Sequence, residues 1–169
     1  MSSDLPGSTL LDLCRKQKIT LVTAESCTGG LICASLTDIP GSSDIVWGGF
    51  VTYANAAKIR ALSVSESLIA KKGAVSREVA EAMVTGALAM SDAGLAVAVS
   101  GIAGPGGGSP DKPVGTVWIA VSLKNGKMYS ELFQFSGSRS QIRWSTVENA
   151  LRICKKIILN DSSLDSEQS

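Results

Sequence analysis

Residues 19–30 read Ile-Thr-Leu-Val-Thr-Ala-Glu-Ser-Cys-Thr-Gly-Gly and join an apolar, β-branched run to a second apolar run, Leu-Ile-Cys-Ala. This pattern predicts a buried strand over residues 19–24 that feeds a helix, ending near Asp38, through a tight polar bend. Ser26 lies in that bend, beside helix N–H groups that have no partner within the helix. Because these groups favour a developing oxyanion, Ser26 is either a helix N-cap or a nucleophile beside an oxyanion hole.

The composition describes one globular domain. The chain has 169 residues, of which 44% are hydrophobic and 18% charged, with a net charge of +1. We expect a single domain over residues 1–169, with an ordered core at about 8–159 and a polar tail at 160–169. The near-neutral charge gives no electrostatic attraction for nucleic acid. Without a signal-peptide pattern or a membrane-spanning apolar stretch, we expect a cytoplasmic protein that contacts no membrane.

The chain contains no histidine, which excludes Ser-His-Asp and Cys-His catalysis within it. A general base must therefore be Lys, Tyr, Asp or Glu. The cysteines show no C-x-x-C pair, so we predict neither a zinc site nor a disulfide framework and treat them as small core residues. They are Cys14, Cys27, Cys33 and Cys154.

Helical and strand patterns alternate along the first two thirds of the chain. Helices are predicted from Ser8 to about Lys18, over 56–62 with Asn55 as cap, from a capping box at 63–66, over 77–91, and from a second capping box, Ser138 and Gln141, to about Leu159. Further strands are predicted over 46–53, 95–100, 115–123 and 128–135, with a bulge or close approach at Gly48 and Gly49 and a hairpin turn at Asn125-Gly126. These elements predict an α/β fold. It is a three-layer α/β/α sandwich around a mixed, largely parallel sheet of about five strands with a C-terminal hairpin.

Unusual stretches follow three of the predicted strands, at residues 25–30, 53–58 and 100–113. If those strands are parallel neighbours, the three stretches meet at one sheet edge and Ser26 faces Tyr53 and Lys58. Lysine serves as a base for serine only when burial or nearby positive charge lowers its pKa. The alternatives are a solvated helix lysine and a strand-end aromatic residue.

The glycine-rich stretch after Ser100 lacks the Gly-Lys-Ser/Thr of a P-loop. It is either a mobile surface loop or a ligand contact, because four small residues let the backbone approach closely: Ser100, Gly101, Ala103 and Gly104. Arg139 and Arg143 begin the last predicted helix and are either phosphate partners or ordinary surface charge.

Several blocks resemble the C-terminal domain of the competence/damage-inducible protein CinA. They are Thr-Ala-Glu-Ser-Cys-Thr-Gly-Gly (23–30), Pro-Gly-Ser-Ser (40–43), Gly-Phe-Val-Thr-Tyr-Ala-Asn-Ala-Ala-Lys (49–58), Gly-Ala-Val-Ser (73–76), Ser-Gly-Ile-Ala-Gly-Pro-Gly-Gly-Gly-Ser (100–109) and Lys-Pro-Val-Gly-Thr-Val-Trp (112–118). The resemblance extends in order from about Leu10 to Leu159 and is to the stand-alone form of the domain.

The resemblance implies a nicotinamide-nucleotide amidase, which hydrolyses nicotinamide mononucleotide to nicotinate mononucleotide and ammonia without a cofactor or metal. It implies Ser26 as nucleophile with Tyr53 and Lys58 beside it. The expected substrate contacts, including backbone oxyanion donors near residues 27–29, are Glu25, Cys27, Thr28, Gly29, Gly30, Ser100, Gly101, Gly104 and Arg139. The alternative is a non-catalytic nucleotide-binding or assembly module. Trp47 and Phe50 also suggest an interface in a homo-oligomer.

Overall fold

The structure, a computed structural model, describes residues 7–166 and the side chains of residues 7–161. The helices are α1 (Ser8–Gln17), α2 (Leu31–Thr37), α3 (Asn55–Leu62), α4 (Glu66–Lys72), α5 (Arg77–Ala89) and α6 (Arg139–Ser166), with a short 3₁₀ helix at Ser42–Asp44. The strands are β1 (Leu21–Glu25), β2 (Val46–Val51), β3 (Leu95–Gly101), β4 (Thr116–Leu123) and β5 (Tyr129–Gln134).

The five strands form one mixed sheet in the order β2-β1-β3-β4-β5. Strand β1 pairs parallel with β2 on one side and with β3 on the other, while β3-β4 and β4-β5 are antiparallel. The predicted α/β sandwich and C-terminal hairpin are therefore confirmed. Because β1, β2 and β3 run in the same direction, their carboxyl ends share one edge of the sheet.

Side-chain alternation divides the core into two layers, as expected for strands covered on both faces. In β3, Leu95, Val97 and Val99 pack with α1, α2 and α6, whereas Ala96 and Ala98 face α3, α4 and α5. The alanines leave room for helix α5 to lie close to the sheet. The same alternation continues through the end of β1. Glu25 faces α2, and the next residue, Ser26, faces α3.

The glycines of β2 combine the two features predicted for them. The register with β1 shifts where Val46 and Gly48 pair with consecutive residues, which leaves Trp47 as the extra residue of a bulge. A Cβ on Gly49 would lie 2.6 Å from the Thr23 hydroxyl and 3.1 Å from the Cys33 Cβ, so the backbone approaches its neighbours closely there.

Two predicted helix starts are wrong in detail. The cap of α4 is Ser65, whose hydroxyl accepts from the Leu68 N–H at 3.4 Å, whereas Ser63 ends α3 with a left-handed φ of 56°. Asn55 is the first residue of α3 rather than its cap. The spacing of polar residues does not show where the preceding chain turns, so it did not identify the true cap of either helix.

Helix α6 begins at the predicted capping box but continues beyond the predicted end. The Ser138 N–H donates to Gln141 Oε1 at 2.7 Å, and the Gln141 N–H donates to Ser138 Oγ at 3.3 Å. The helix runs to Ser166 instead of ending near Leu159, so the predicted polar tail is largely helical. Residues 160–166 contain neither Pro nor Gly to interrupt the backbone hydrogen bonds. The last part of that predicted tail, residues 167–169, lies outside the described residues.

Candidate active site

A cavity of about 200 Å³ opens where the ends of β1, β2 and β3 meet the first turn of α6. Seven predicted site residues line it: Ser26, Cys27, Tyr53, Lys58, Ser100, Gly101 and Arg139. Ala103, one of the small residues of the predicted ligand-contacting loop, also lines it, whereas Asn55, Ala74 and Val75 were not predicted. Asn55 had a sequence signal, since it precedes Lys58 by one helical turn and shares its helix face.

Lys58, on α3, links the β2–α3 segment to the turn between β1 and α2. Its Nζ lies 3.0 Å from Ser26 Oγ, 2.8 Å from the Thr52 carbonyl oxygen and 3.3 Å from the Tyr53 carbonyl oxygen. Only 1% of Lys58 is exposed, and burial lowers its pKa below the ordinary value of 10.5. The predicted solvated helix lysine is therefore excluded, and the amine has an environment that favours its neutral form.

Ser26 is not the cap of α2. The cap is Gly30, which has a left-handed φ of 96°, and the Ser26 hydroxyl lies against Lys58 instead. The Gly29 N–H donates to the Ser26 carbonyl at 3.0 Å and closes a turn across the two intervening residues. Among the described residues, the N–H groups of Cys27 and Thr28 donate to no acceptor. Of the donors expected at residues 27–29, the Gly29 N–H is therefore occupied and Thr28 is fully buried, whereas Cys27 lines the cavity.

Glu25 was predicted to contact substrate, and the structure corrects this expectation. Its side chain is fully buried, and its carboxylate accepts four hydrogen bonds at the start of α2. The donors are the Thr28 hydroxyl at 2.5 Å and the N–H groups of Gly30, Ile32 and Cys33 at 3.1, 3.0 and 2.8 Å. A carboxylate suits this place because the N-terminal N–H groups of a helix lack partners and carry partial positive charge. Glu25 therefore fixes the Ser26 turn to α2 from inside the protein.

Tyr53 and Arg139 lie together at the rim of the cavity. Tyr53 is 60% exposed, and its hydroxyl accepts from Arg139 Nη2 at 3.0 Å. Arg139 Nη1 donates to the Gly104 carbonyl at 2.7 Å, which ties the glycine-rich loop to the first turn of α6. The Tyr53 hydroxyl thus bonds to Arg139. The contact between Tyr53 and Lys58 is made by the Tyr53 backbone carbonyl and not by its hydroxyl.

The strand end at Ser100 and Gly101 forms another wall. The Ser100 hydroxyl donates to the Ala74 carbonyl at 2.8 Å, which attaches the segment before α5 to β3. A Cβ on Gly101 would lie 2.5 Å from Val117 Cγ2, so only glycine allows this close pairing with β4.

Arg143 lies one helical turn after Arg139, but it faces the Ser26 turn rather than the cavity. Its Nε donates to the Cys27 carbonyl at 3.2 Å and its Nη2 to the Thr28 carbonyl at 2.7 Å. Burial raises the pKa of the Cys27 thiol to about 11, so this thiol stays protonated beside Ser26 at neutral pH.

Among the side chains of residues 7–161, no three His, Cys, Asp or Glu side chains are grouped as metal ligands. No helix within residues 7–166 combines the length and apolarity needed to cross a bilayer.

Known proteins resemble this chain in sequence and in structure. The CinA C-terminal domain family matches residues 6–158. The nicotinamide-nucleotide amidohydrolase PncC of Pseudomonas putida is 54% identical over 137 residues, which are 81% of this chain and 85% of that protein. A CinA-like protein of Desulfotalea psychrophila is 51% identical over 86% of this chain but only 35% of its own length. The chain thus spans about a third of the length of the first curated relatives that it matches.

A solved structure shares the fold of this chain. The crystal structure of the competence/damage inducible protein CihA from Agrobacterium tumefaciens has a TM-score of 0.89 and 42% identity to this chain. That match covers 93% of this chain and 97% of the other. The chain therefore belongs to the CinA C-terminal domain family.

Proposed function

We propose that this protein is a nicotinamide-nucleotide amidase that hydrolyses the carboxamide of nicotinamide mononucleotide. The observation that carries the proposal is the 3.0 Å contact between Ser26 Oγ and the buried Lys58 Nζ at the wall of a cavity. A hydroxyl beside an amine of lowered pKa is the arrangement that serine–lysine acyl transfer needs. The name and 54% identity of the Pseudomonas putida amidohydrolase support the same reaction.

Lys58 Nζ lies within hydrogen-bonding distance of the Ser26 hydroxyl and of the carbonyls of Thr52 and Tyr53, to all of which an ammonium group can donate. Since a carbonyl can only accept, a neutral Lys58 keeps its two N–H groups on these carbonyls and leaves its lone pair for the proton of the Ser26 hydroxyl. The two carbonyls therefore direct the lone pair of the neutral amine to Ser26. Tyr53 assists through its carbonyl, whereas its hydroxyl holds Arg139 at the rim.

Acylation begins when Lys58 takes the Ser26 proton as Ser26 Oγ attacks the carboxamide carbon. The oxyanion receives a hydrogen bond from the N–H of Cys27, which lines the cavity and has no other acceptor among the described residues. The Lys58 ammonium then protonates the departing nitrogen, and the C–N bond breaks to release ammonia and leave an ester on Ser26. Water, deprotonated by Lys58, attacks that ester, and nicotinate mononucleotide leaves with Ser26 restored.

Arg139 is the proposed partner of the substrate phosphate. It lines the cavity at the mouth, and a guanidinium pairs with phosphate through parallel hydrogen bonds. Its present partners, the Tyr53 hydroxyl and the Gly104 carbonyl, hold it in place for that contact. The backbone at Ser100, Gly101 and Gly104 lies against the same ligand. The scheme needs no cofactor or metal.

The test is ammonia release from nicotinamide mononucleotide by purified protein, with free nicotinamide and the dinucleotide in parallel. Ser26→Ala should retain the fold and lose at least about 1,000-fold in kcat, because it removes the attacking atom. Full activity in folded Ser26→Ala would contradict the proposed mechanism. Calorimetric binding of the mononucleotide without ammonia release would instead identify the nucleotide-binding module named as the alternative.

A further inference from the structure

We infer that Arg143 is a positioning residue that orients and polarises the peptide groups of the oxyanion hole. The inference rests on the proposed function, because the oxyanion is that of the amidase reaction. Arg143 was first considered as a phosphate partner or surface charge. Its contacts give it a different place, against the outside of the Ser26 turn.

The contacts of Arg143 join two distant parts of the chain. Its guanidinium donates to the carbonyls of Cys27 and Thr28, which lie 116 and 115 positions earlier in the sequence. Both carbonyls belong to the turn directly after the nucleophile. Helix α6 therefore holds this turn through a planar cation that matches two neighbouring carbonyls at once.

Peptide planarity transmits this contact along the turn to the oxyanion donor. The carbonyl of Cys27 and the N–H of Thr28 belong to one trans peptide, so they point in opposite directions. When Arg143 holds the Cys27 carbonyl, it directs the Thr28 N–H away from α6. The Thr28 carbonyl similarly shares a peptide with the Gly29 N–H, which closes the turn onto the Ser26 carbonyl. Arg143 therefore fixes both peptides that follow Cys27.

Glu25 fixes the other side of the same turn. Its carboxylate accepts the N–H groups of Gly30, Ile32 and Cys33, while Arg143 takes the carbonyls. Every N–H from Gly29 to Cys33 has an acceptor, which leaves those of Cys27 and Thr28 without one among the described residues. Of these two residues only Cys27 lines the cavity, since Thr28 is fully buried, so the two charged side chains leave the Cys27 N–H as the donor beside Ser26.

The positive charge of Arg143 adds a second effect. A cation hydrogen-bonded to a peptide oxygen draws electron density from that peptide and makes its N–H a stronger donor. The Cys27 N–H gains this polarisation in steps. Arg143 holds the Thr28 carbonyl, the Gly29 N–H of that same peptide donates to the Ser26 carbonyl, and the Ser26 carbonyl shares a peptide with the Cys27 N–H. Removal of the charge should therefore destabilise the transition state more than it weakens substrate binding, since the oxyanion forms only during the reaction.

The experiment compares Arg143→Met with Arg139→Met on nicotinamide mononucleotide and on the phosphate-free nicotinamide riboside. Arg143→Met should lower kcat about 100-fold on both substrates and leave KM within about threefold. Arg139→Met should raise KM for the mononucleotide alone. A larger loss on the mononucleotide than on the riboside in Arg143→Met would overturn the inference and return this residue to phosphate binding.

Chemical rescue separates positioning from a general loss of stability. Guanidinium ion added to Arg143→Ala should restore kcat at least about tenfold, since it can occupy the same two carbonyls, and should not restore Arg139→Ala. An absence of rescue in folded Arg143→Ala contradicts the inference. If the alanine and methionine variants fail to fold, Arg143→Lys replaces them. Its ammonium lacks the planar fork, so its kcat should fall about tenfold with KM unchanged, and unchanged kcat would contradict the inference.

A second readout does not depend on the natural substrate. A fluorophosphonate probe should label Ser26 of the wild type, because its phosphoryl oxygen occupies the oxyanion site, and should label Arg143→Met about 100-fold more slowly by intact mass. Slow labelling of the variant supports the inference even when nicotinamide mononucleotide is not hydrolysed. Equal labelling rates contradict it, and an unlabelled wild type contradicts both this inference and the serine mechanism.

Discussion

The Lys58 Nζ lies 3.0 Å from the Ser26 Oγ across 32 positions of sequence, and both side chains are almost entirely shielded from solvent. The contact exists because β1 and β2 are parallel neighbours, so the residues that follow them meet at one edge of the sheet. No salt bridge is formed by Lys58 among the described residues. Burial therefore acts on its pKa without a carboxylate to reverse the effect.

The first prediction concerns pH. Protonated Lys58 cannot accept the Ser26 proton, so kcat/KM should be low at acidic pH and rise as one group loses its proton. Since burial lowers the pKa of Lys58, the midpoint should lie below the ordinary 10.5. A rate profile from about pH 6 to about pH 10 measures it. Lys58→Arg, which stays charged, should be inactive throughout. A profile that falls with rising pH would contradict a lysine base.

Glu25 provides a prediction about stability. Glu25→Gln keeps the size of the side chain but turns one acceptor oxygen into an NH₂ group that faces helix N–H donors. We expect the free energy of unfolding to fall by about 2–4 kcal/mol, because a buried charged acceptor with several hydrogen bonds is lost. Denaturant unfolding measures the change. The exposed Glu148→Gln is the control and should change stability by less than about 0.5 kcal/mol. Equal effects of the two substitutions would show that Glu25 does not hold the turn.

Sequence patterns predicted the meeting of Ser26 and Lys58 only on the condition that the three strands are parallel neighbours, and the pairing of β1 with β2 and β3 meets that condition. They did not predict the role of Glu25, since its residue type is common on surfaces and its burial depends on how α2 turns back toward β1. The contacts of Arg143 with the Cys27 and Thr28 carbonyls could not be predicted from the sequence either. They depend on the packing of α6, on which Arg143 lies 115 positions from Thr28. Periodicity thus predicts which elements form, whereas the fixed orientation of the nucleophile turn arises from tertiary contacts.

Tyr53→Phe distinguishes two roles for this tyrosine. The substitution removes the hydroxyl that accepts from Arg139 but keeps the carbonyl that contacts Lys58. We expect kcat to change by less than about threefold and KM for the mononucleotide to rise several-fold, as Arg139 loses an anchor. Steady-state kinetics measures both constants. A fall in kcat of about 100-fold or more at unchanged KM would instead indicate that the hydroxyl relays a proton.

Gly86 of α5 links helix packing to the geometry of the catalytic pair. A Cβ there would overlap the carbonyl oxygen of Leu62, the last residue of the helix that carries Lys58. Gly86→Ala gains about 1 kcal/mol of helix propensity but forces two backbones apart, so a net loss of about 2 kcal/mol is expected. Because displacing a reacting group by about 1 Å costs about 100-fold in rate, kcat should fall more than the loss of folded protein explains. Gly106→Ala, where a Cβ meets nothing within 4 Å, is the matched control and should leave both stability and kcat near wild type. Thermal unfolding and ammonia release measured on both variants decide the outcome. If Gly86→Ala matched its control in both assays, the close approach of α3 and α5 would not be what sets the distance between Lys58 and Ser26.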